Sequence, residues 1–457
     1  MSDRATEPHT QINSSVDRGR CKGELFRDVV LALKQAGHEL RIIHGYANFP
    51  EYIGSDVDAA SLEPTKIPHI LARRNSGDPI TTVQVIQHET SAFYYILYRD
   101  CGGHPVFLAL DVCSDYQRDG RVFFGSDELL ENPRRFKFFD VPSPEIEFAH
   151  YTIKKVLKGS LDREQSLRLE QLYSENPVGC NLQLGRFFPP KEAKLVAEAA
   201  RTGNWDLVSA RIPSLRRSLL SMQGRQRPLQ VLGYWLGTLQ RAVKRIMQPT
   251  GLAIVFLGPD GSGKSSVIDR VERDLAPAFR RTAQYRLRPS RRKSGGTPVT
   301  DPHGRPLRGT ASSLAKLAFW SVDYTLGYAG HTFPQLVRST FILFDRYYQD
   351  LLVDPKRYRY AGPMFLARLV NRIIPNPHLF VVLDAPSEVL YARKQEISFE
   401  EAVRQRDGYL KLVRNLPNGH VVDASKPLDE VVAETEEIIL SHMAVRTARR
   451  LKLGARR

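Results

Sequence analysis

Gly258-Pro-Asp260-Gly261-Ser262-Gly263-Lys264-Ser265, followed by Ser266, is the stretch whose residue types and spacing point most directly to chemistry. Its glycines allow successive backbone N–H groups to turn inward around phosphate oxygens, Lys264 brings a positive charge to the β- and γ-phosphates, and Ser265 offers a hydroxyl to Mg²⁺. Such a loop binds ATP with Mg²⁺. An apolar run, Leu252 to Leu257, precedes it, and a helical period from Ser265 to Leu275 follows, so a helix N-terminus adds its positive end to the phosphate site. That context separates the motif from a chance turn.

Two further apolar runs end in acids. Phe341 to Phe344 leads into Asp345-Arg346-Tyr347, and Leu379 to Leu383 leads into Asp384. A carboxylate at the C-terminal end of a parallel strand faces the crevice where ligands bind, so Asp345 could hold a Mg²⁺-bound water or orient an acceptor. Arg346 could clamp a phosphate with its planar fork. The bland reading of Asp345 is a helix N-cap, and Asp384 stands equally between function and capping. Arg393, Lys394, Arg404 and Arg406 lie where a basic lid would neutralise the transferring phosphoryl group; each alone reads as a solvated charge.

A second group of carboxylates lies upstream. His44-Gly45-Tyr46 is followed by Gly54-Ser55-Asp56-Val57-Asp58, and Asp111 ends the apolar run Leu108-Ala-Leu. Alternate positions on a strand project to one face, so Asp56 and Asp58 with Asp111 from a neighbouring strand could cage Mg²⁺. A plain Asp-x-Asp loop is the competing reading.

These groups need two frameworks. Residues 1–20 read as a disordered tail, and 21–143 as a small mixed sheet built from β-rich runs such as Thr81 to Ile86, Phe93 to Tyr98 and Val106 to Leu110. Residues 144–221 read as a helical appendage, and 222–250 as a linker with a basic amphipathic helix. That helix either packs its Leu and Trp face on a domain or lies at a membrane surface. Residues 251–442 alternate strand and helix, the pattern of an α/β, doubly wound parallel sheet; 443–457 is a basic tail.

From the phosphate loop onward the chain resembles the thymidylate kinase family, over about Thr250 to Leu440. The loop carries Asp260 where that family has an acid directed to the acceptor's sugar. Phe341 to Tyr347 reproduces its Asp-Arg-Tyr element, and Leu379 to Lys394 with Val421-Val-Asp423 its strand and lid region. The resemblance implies a P-loop kinase fold with catalytic roles for Lys264, Asp345, Arg346 and Arg393. Two stretches depart from the pattern. Tyr348-Gln-Asp-Leu-Leu-Val-Asp354-Pro-Lys-Arg357 replaces the acceptor segment, and Tyr285-Arg286-Leu-Arg288-Pro289 keeps a trace of the Arg-x-Pro loop, which leaves Arg286 and Arg288 as acceptor candidates. Residues 22–115 resemble the polymerase-β-type nucleotidyltransferases, with Gly45-Tyr46 in place of the usual Gly-Ser.

Composition bounds the rest. The chain has 457 residues, 42% hydrophobic and 25% charged, and reads as two folded domains rather than a disordered chain. No signal-like or membrane-spanning run stands out, which places the expectation in the cytoplasm. The four cysteines show no metal-ligand spacing and read as reduced thiols. A formal charge of +16 suits polyanions, with ATP and a small nucleotide or sugar acceptor the favoured partners and nucleic acid the less favoured. Basic segments leave a peripheral membrane contact open. An ATP-dependent nucleotide kinase is the leading reading. The alternatives are a kinase or nucleotidyltransferase acting on a sugar or glycan intermediate, a nucleic-acid-linked ATPase, and a nucleotide-binding regulator.

Overall fold

In the computed structural model, which describes residues 15–73, 80–226, 228–289, 306–395 and 397–453, the chain divides into two compact units. One comprises residues 1–102, 106–244 and 447–457, the other 103–105 and 245–446.

The N-terminal unit opens with α1 (Ser15–Gln35) and runs through β1 (Arg41–His44), β2 (Asp56–Ala60), α2 (Ile67–Ala72), β3 (Thr81–Gln87), β4 (Ala92–Cys101) and β5 (His104–Cys113). A ribbon of β6 (Tyr116–Arg118) and β7 (Arg121–Phe124), the short α3 (Ser126–Leu130), and the pair β8 (Arg134–Phe136) and β9 (Phe139–Val141) follow. The main sheet has the order β3-β4-β5-β2-β1-β9-β8 and is mixed: β2 runs parallel to β5 and antiparallel to β1. Alternation of inward Val and Ile with polar residues is what lets one face of this sheet pack on α1, through Leu25, Phe26, Val29 and Leu33. The expected tail over 1–20 ends sooner than composition suggested. Residues 15–20 form the first turns of α1; residues 1–14 lie outside the described residues.

Five helices then succeed one another without a strand, as the leucine- and alanine-rich pattern required: α4 (Pro144–Lys158), α5 (Arg163–Glu175), α6 (Pro177–Phe187), α7 (Pro190–Thr202) and α8 (Asp206–Gln226). Gly159 and Gly203, both at positive φ, end α4 and α7. The linker forms α9 (Pro228–Met247). Among its described side chains, Arg241 Nη1 donates to Thr90 Oγ1 and Tyr234 Oη to Glu89 Oε1, while Trp235, Leu236 and Leu239 stay exposed. Of the Leu and Trp face expected to pack on a domain, these three residues are therefore not buried.

The C-terminal unit contains β10 (Leu252–Leu257), α10 (Lys264–Leu275), β11 (Arg281–Arg286), α11 (Thr310–Gly327), α12 (Phe333–Val337), β12 (Thr340–Asp345), α13 (Asp350–Val353) and α14 (Met364–Asn371). It closes with β13 (Leu379–Asp384), α15 (Ser387–Arg393), α16 (Phe399–Arg414), β14 (Gly419–Asp423) and α17 (Leu428–Leu451). All five strands are parallel in the order β11-β12-β10-β13-β14. β10 is buried along its whole length, which explains why its sequence is continuously apolar rather than alternating. The strand order reverses at β10, so the ends of β10, β12 and β13 open on one crevice. The basic tail expected from residue 443 is helix as far as Leu451, with Met443 buried; residues 454–457 lie outside the described residues, as does most of the Arg-rich segment after Pro289.

All four cysteines are free thiols. Among the described residues no helix is long and apolar enough to cross a membrane.

Candidate functional site

The phosphate loop joins β10 to α10, and its glycines are needed for different reasons. Gly258 sits at φ +140 with any Cβ only 2.5 Å from the Leu383 carbonyl, whereas Gly261, at φ +83, would meet the Leu390 carbonyl at 2.7 Å. Backbone from β13 and α15 thus presses against the loop, and only glycine fits there. Gly263, also at positive φ, precedes the first turn of α10.

Lys264 is buried and its ammonium donates to Gly258 O at 2.9 Å, Pro259 O at 2.7 Å and Ser262 Oγ at 3.3 Å. Burial lowers its pKa to about 8, Arg346 pushes the same way, and Asp260, Asp345 and Asp350 oppose. Ser265 and Ser266 stand at the start of α10, Ser266 exposed, where a phosphate or a metal ion can reach the hydroxyls. Asp345 ends β12, in register with Phe256 of β10 and Arg286 of β11. It does not cap a helix, since Gln349 holds that position for α13.

Arg346 departs from the expected phosphate clamp. It takes a left-handed backbone, φ +70, held by its N–H bonding Phe256 O at 3.0 Å, and its side chain turns into the protein. Both Asp350 oxygens accept from Nη1 at 2.9 Å, Tyr409 Oη lies 3.1 Å away, and Nη2 reaches Asp260 Oδ1 at 2.6 Å. Arg357 reaches the other oxygen of Asp260. Burial alone would raise the Asp260 carboxyl, but the two guanidinium groups and Lys264 hold it far below the usual carboxylate range. Asp350 is fully buried and also accepts from Tyr358 Oη and Tyr409 Oη.

Of the basic residues placed in a lid, Arg393 and Lys394 lie against the loop at Gly261, and Arg393 Nη1 donates to Ala424 O at 2.8 Å. Arg406 holds both Asp384 oxygens, at 2.8 and 2.9 Å, which makes Asp384 a salt-bridge partner rather than a helix cap. Arg404 pairs with Glu401. Arg286 is exposed, and Arg288 pairs with Asp323 at 3.1 Å over the Phe319 ring. Asp350, Arg357 and Tyr409 are the functional neighbours that sequence reading missed. Asp350 and Arg357 fall inside the departing acceptor segment, and the polar Gln349-Asp350 pair within an otherwise apolar turn was the available signal.

In the N-terminal unit β2 and β5 place Asp58 opposite Asp111 in register, and a cavity of about 320 Å³ is lined by Asp56, Asp58, Asp111, His88, His150 and Lys154. Asp58 is ion-paired with Lys154, and Asp111 Oδ1 lies 2.7 Å from His88 Nε2. His150 and Lys154 share a face of α4 at i, i+4 spacing, a pattern legible in the sequence. Tyr46 does not face this cavity's carboxylates. Its hydroxyl donates to Glu147 Oε2 at 2.6 Å, within a cluster completed by Arg134 and Arg168. Among the described residues no group of three or more His, Cys, Asp or Glu side chains is set to hold a metal ion, so the expected cage of Asp56, Asp58 and Asp111 for Mg²⁺ does not fit as found.

No family model matches this sequence. Its relatives include the thymidylate kinase of Staphylococcus haemolyticus, 29% identical over 207 residues that make up 42% of this chain and 98% of that protein. The probable thymidylate kinase of Pyrobaculum calidifontis is 30% identical over 207 residues, 42% of this chain and 97% of the relative. A thymidylate kinase of Xanthomonas euvesicatoria is 26% identical over 219 residues, with 88% of it covered. A solved thymidylate kinase from Ehrlichia chaffeensis matches 42% of this chain and all of its own at 18% identity and a TM-score of 0.31.

Proposed function

Because the chain belongs to the thymidylate kinase family through the stretch those relatives cover, we propose that its C-terminal unit transfers the γ-phosphoryl group of ATP to a small-molecule acceptor of the nucleotide type. The observation that carries this reading is the phosphate loop at the C-terminal end of β10, with the Lys264 ammonium turned onto the loop's own oxygens and the Asp345 carboxylate at the neighbouring strand end.

Each residue has a physical part. Loop N–H groups and the α10 N-terminus bind the polyphosphate, and Lys264 neutralises its β- and γ-oxygens. Ser265 and Asp345 offer hard oxygen donors that would hold Mg²⁺, and the ion would supply positive charge against that developing on the phosphates. Arg393 and Lys394, beside Gly261, supply further positive charge where the phosphoryl group moves. An oxygen of the acceptor attacks the γ-phosphorus as the bond to the β-bridging oxygen breaks and ADP leaves. With a monophosphate acceptor no proton need be removed. With a hydroxyl acceptor Asp345 stands at the strand end to take it.

One observation favours a second acceptor class. Asp260, which the family resemblance directs to a nucleoside's sugar, already accepts from Arg346 and Arg357, and Asp350 is enclosed by tyrosines. An acceptor side rebuilt in this way suits a sugar or sugar phosphate rather than thymidylate.

ATP consumption by the purified protein against nucleoside monophosphates, sugars and sugar phosphates, with Lys264→Ala as control, tests the proposal. Turnover that depends on an acceptor and disappears in Lys264→Ala supports it, and the acceptor chosen decides between the two classes. Equal turnover in Lys264→Ala would refute it.

A further inference from the structure

The carboxylate group of the N-terminal unit already contains a cation. Asp58 and Asp111 stand opposite one another on parallel strands, and α4 brings the Lys154 side chain to an ion pair with Asp58. Burial disfavours the charged ammonium, the Asp58 pair favours it, and Asp56 and Asp111 add smaller support from farther off. The pair is secluded, with side-chain exposures of 22% for Lys154 and 14% for Asp58. On the far side His88 occupies one oxygen of Asp111. A divalent ion requires carboxylate oxygens with free lone pairs and unspent negative charge. Here one oxygen of Asp58 and one of Asp111 are engaged.

Where the resemblance to nucleotidyltransferases expects a Gly-Ser pair to contact phosphate, this chain has Gly45-Tyr46. Gly45, at φ +88, abuts the backbone of Asp56, where a Cβ would come within 2.5 Å of its carbonyl oxygen. The residue after it, Tyr46, spends its hydroxyl on Glu147 and the two arginines. That hydroxyl is thus committed inside the protein rather than offered to a ligand.

The geometry points to a metal-free site: the Lys154 ammonium is the built-in cation of the Asp56, Asp58 and Asp111 cage, standing where a divalent ion would otherwise bind. An ammonium is a compact monovalent charge with three donors and no coordination sphere to share with a phosphate or a water. It organises the carboxylates without lending them Lewis acidity, and the pocket therefore binds rather than performs two-metal nucleotidyl transfer.

Mn²⁺ binding to the full chain without nucleotide, followed by the electron paramagnetic resonance of free Mn²⁺, is the test. Wild type is expected to show no Mn²⁺ site that Asp56→Asn removes. Lys154→Gln is expected to gain one such site, lost again when Asp58→Asn is added, whereas Lys154→Arg keeps the charge and gains none. A wild-type site abolished by Asp56→Asn overturns the inference, as does a folded Lys154→Gln that binds no Mn²⁺. Should Lys154→Gln fail to fold, the comparison of wild type with Asp56→Asn, an exposed position, decides alone.

Discussion

Arg346 Nη2 stands 2.6 Å from Asp260 Oδ1, which ties the residue following β12 to the acid inside the phosphate loop. Through Asp350 and Tyr409 the same guanidinium reaches α13 and α16. One buried arginine thus fixes the loop relative to α13 and α16, and its worth is structural before it is catalytic.

Removing that arginine leaves Asp350 buried and without its cation. Arg346→Met should cost about 3–5 kcal/mol, the range for breaking a buried ion pair from one side. Urea unfolding measures it, and a loss below about 1 kcal/mol would mean that the tyrosine hydroxyls alone satisfy Asp350.

Lys264 gives stability and activity opposite pH dependences. Its folded pKa, about 8, lies below the ordinary lysine value of 10.5, so folding is penalised while the group is protonated and the penalty is relieved as pH rises from about 8 toward 10.5. The charge that grips phosphate disappears over the same rise. We expect kcat/KM for ATP to fall above about pH 8 and Lys264→Arg to move that fall upward; a profile that is flat through about pH 9.5 in wild type would contradict the assignment.

Gly258→Ala should destabilise the protein by about 1–3 kcal/mol and weaken ATP binding, because the new Cβ meets backbone that cannot swing away. Gly185→Ala, inside α6 where a Cβ meets nothing, serves as the control and should be neutral or stabilising by up to about 1 kcal/mol in thermal unfolding.

Asp345→Asn should lower kcat about a hundredfold, the scale of a lost charge-stabilising or proton-handling group, with the Kd for ATP nearly unchanged. Equal losses in both, measured by steady-state kinetics and calorimetry, would show that it serves ATP binding instead.

Tyr46→Phe removes a hydrogen bond to a charged partner and should cost about 1.5–3 kcal/mol, while Glu147→Ala, which takes the carboxylate from Arg168 and leaves Arg134 with Glu175 alone, should cost about 3 kcal/mol. Both changes should leave phosphoryl transfer per folded molecule intact, which a burst assay on the soluble fraction would read.

The sequence alone determined the features that depend on neighbours in the chain. The loop from Gly258 to Ser265 needs only local backbone geometry between a strand and a helix, and the buried parallel strands announce themselves as unbroken apolar runs. That Asp56 and Asp58 point to one face followed from strand alternation, and the strandless helices from 144 onward from their leucine spacing, whereas the register of Asp58 with Asp111 came with the strand pairing. What tertiary structure decided is where the charges go. Arg346 and Arg357 converge on Asp260 from 86 and 97 residues away, and Lys154 meets Asp58 across 96. No local pattern encodes such meetings: a guanidinium or ammonium can serve a phosphate, a metal's place or a buried acid with the same residue type. Which of these it serves depends on the low dielectric and the fixed partners that folding brings around it.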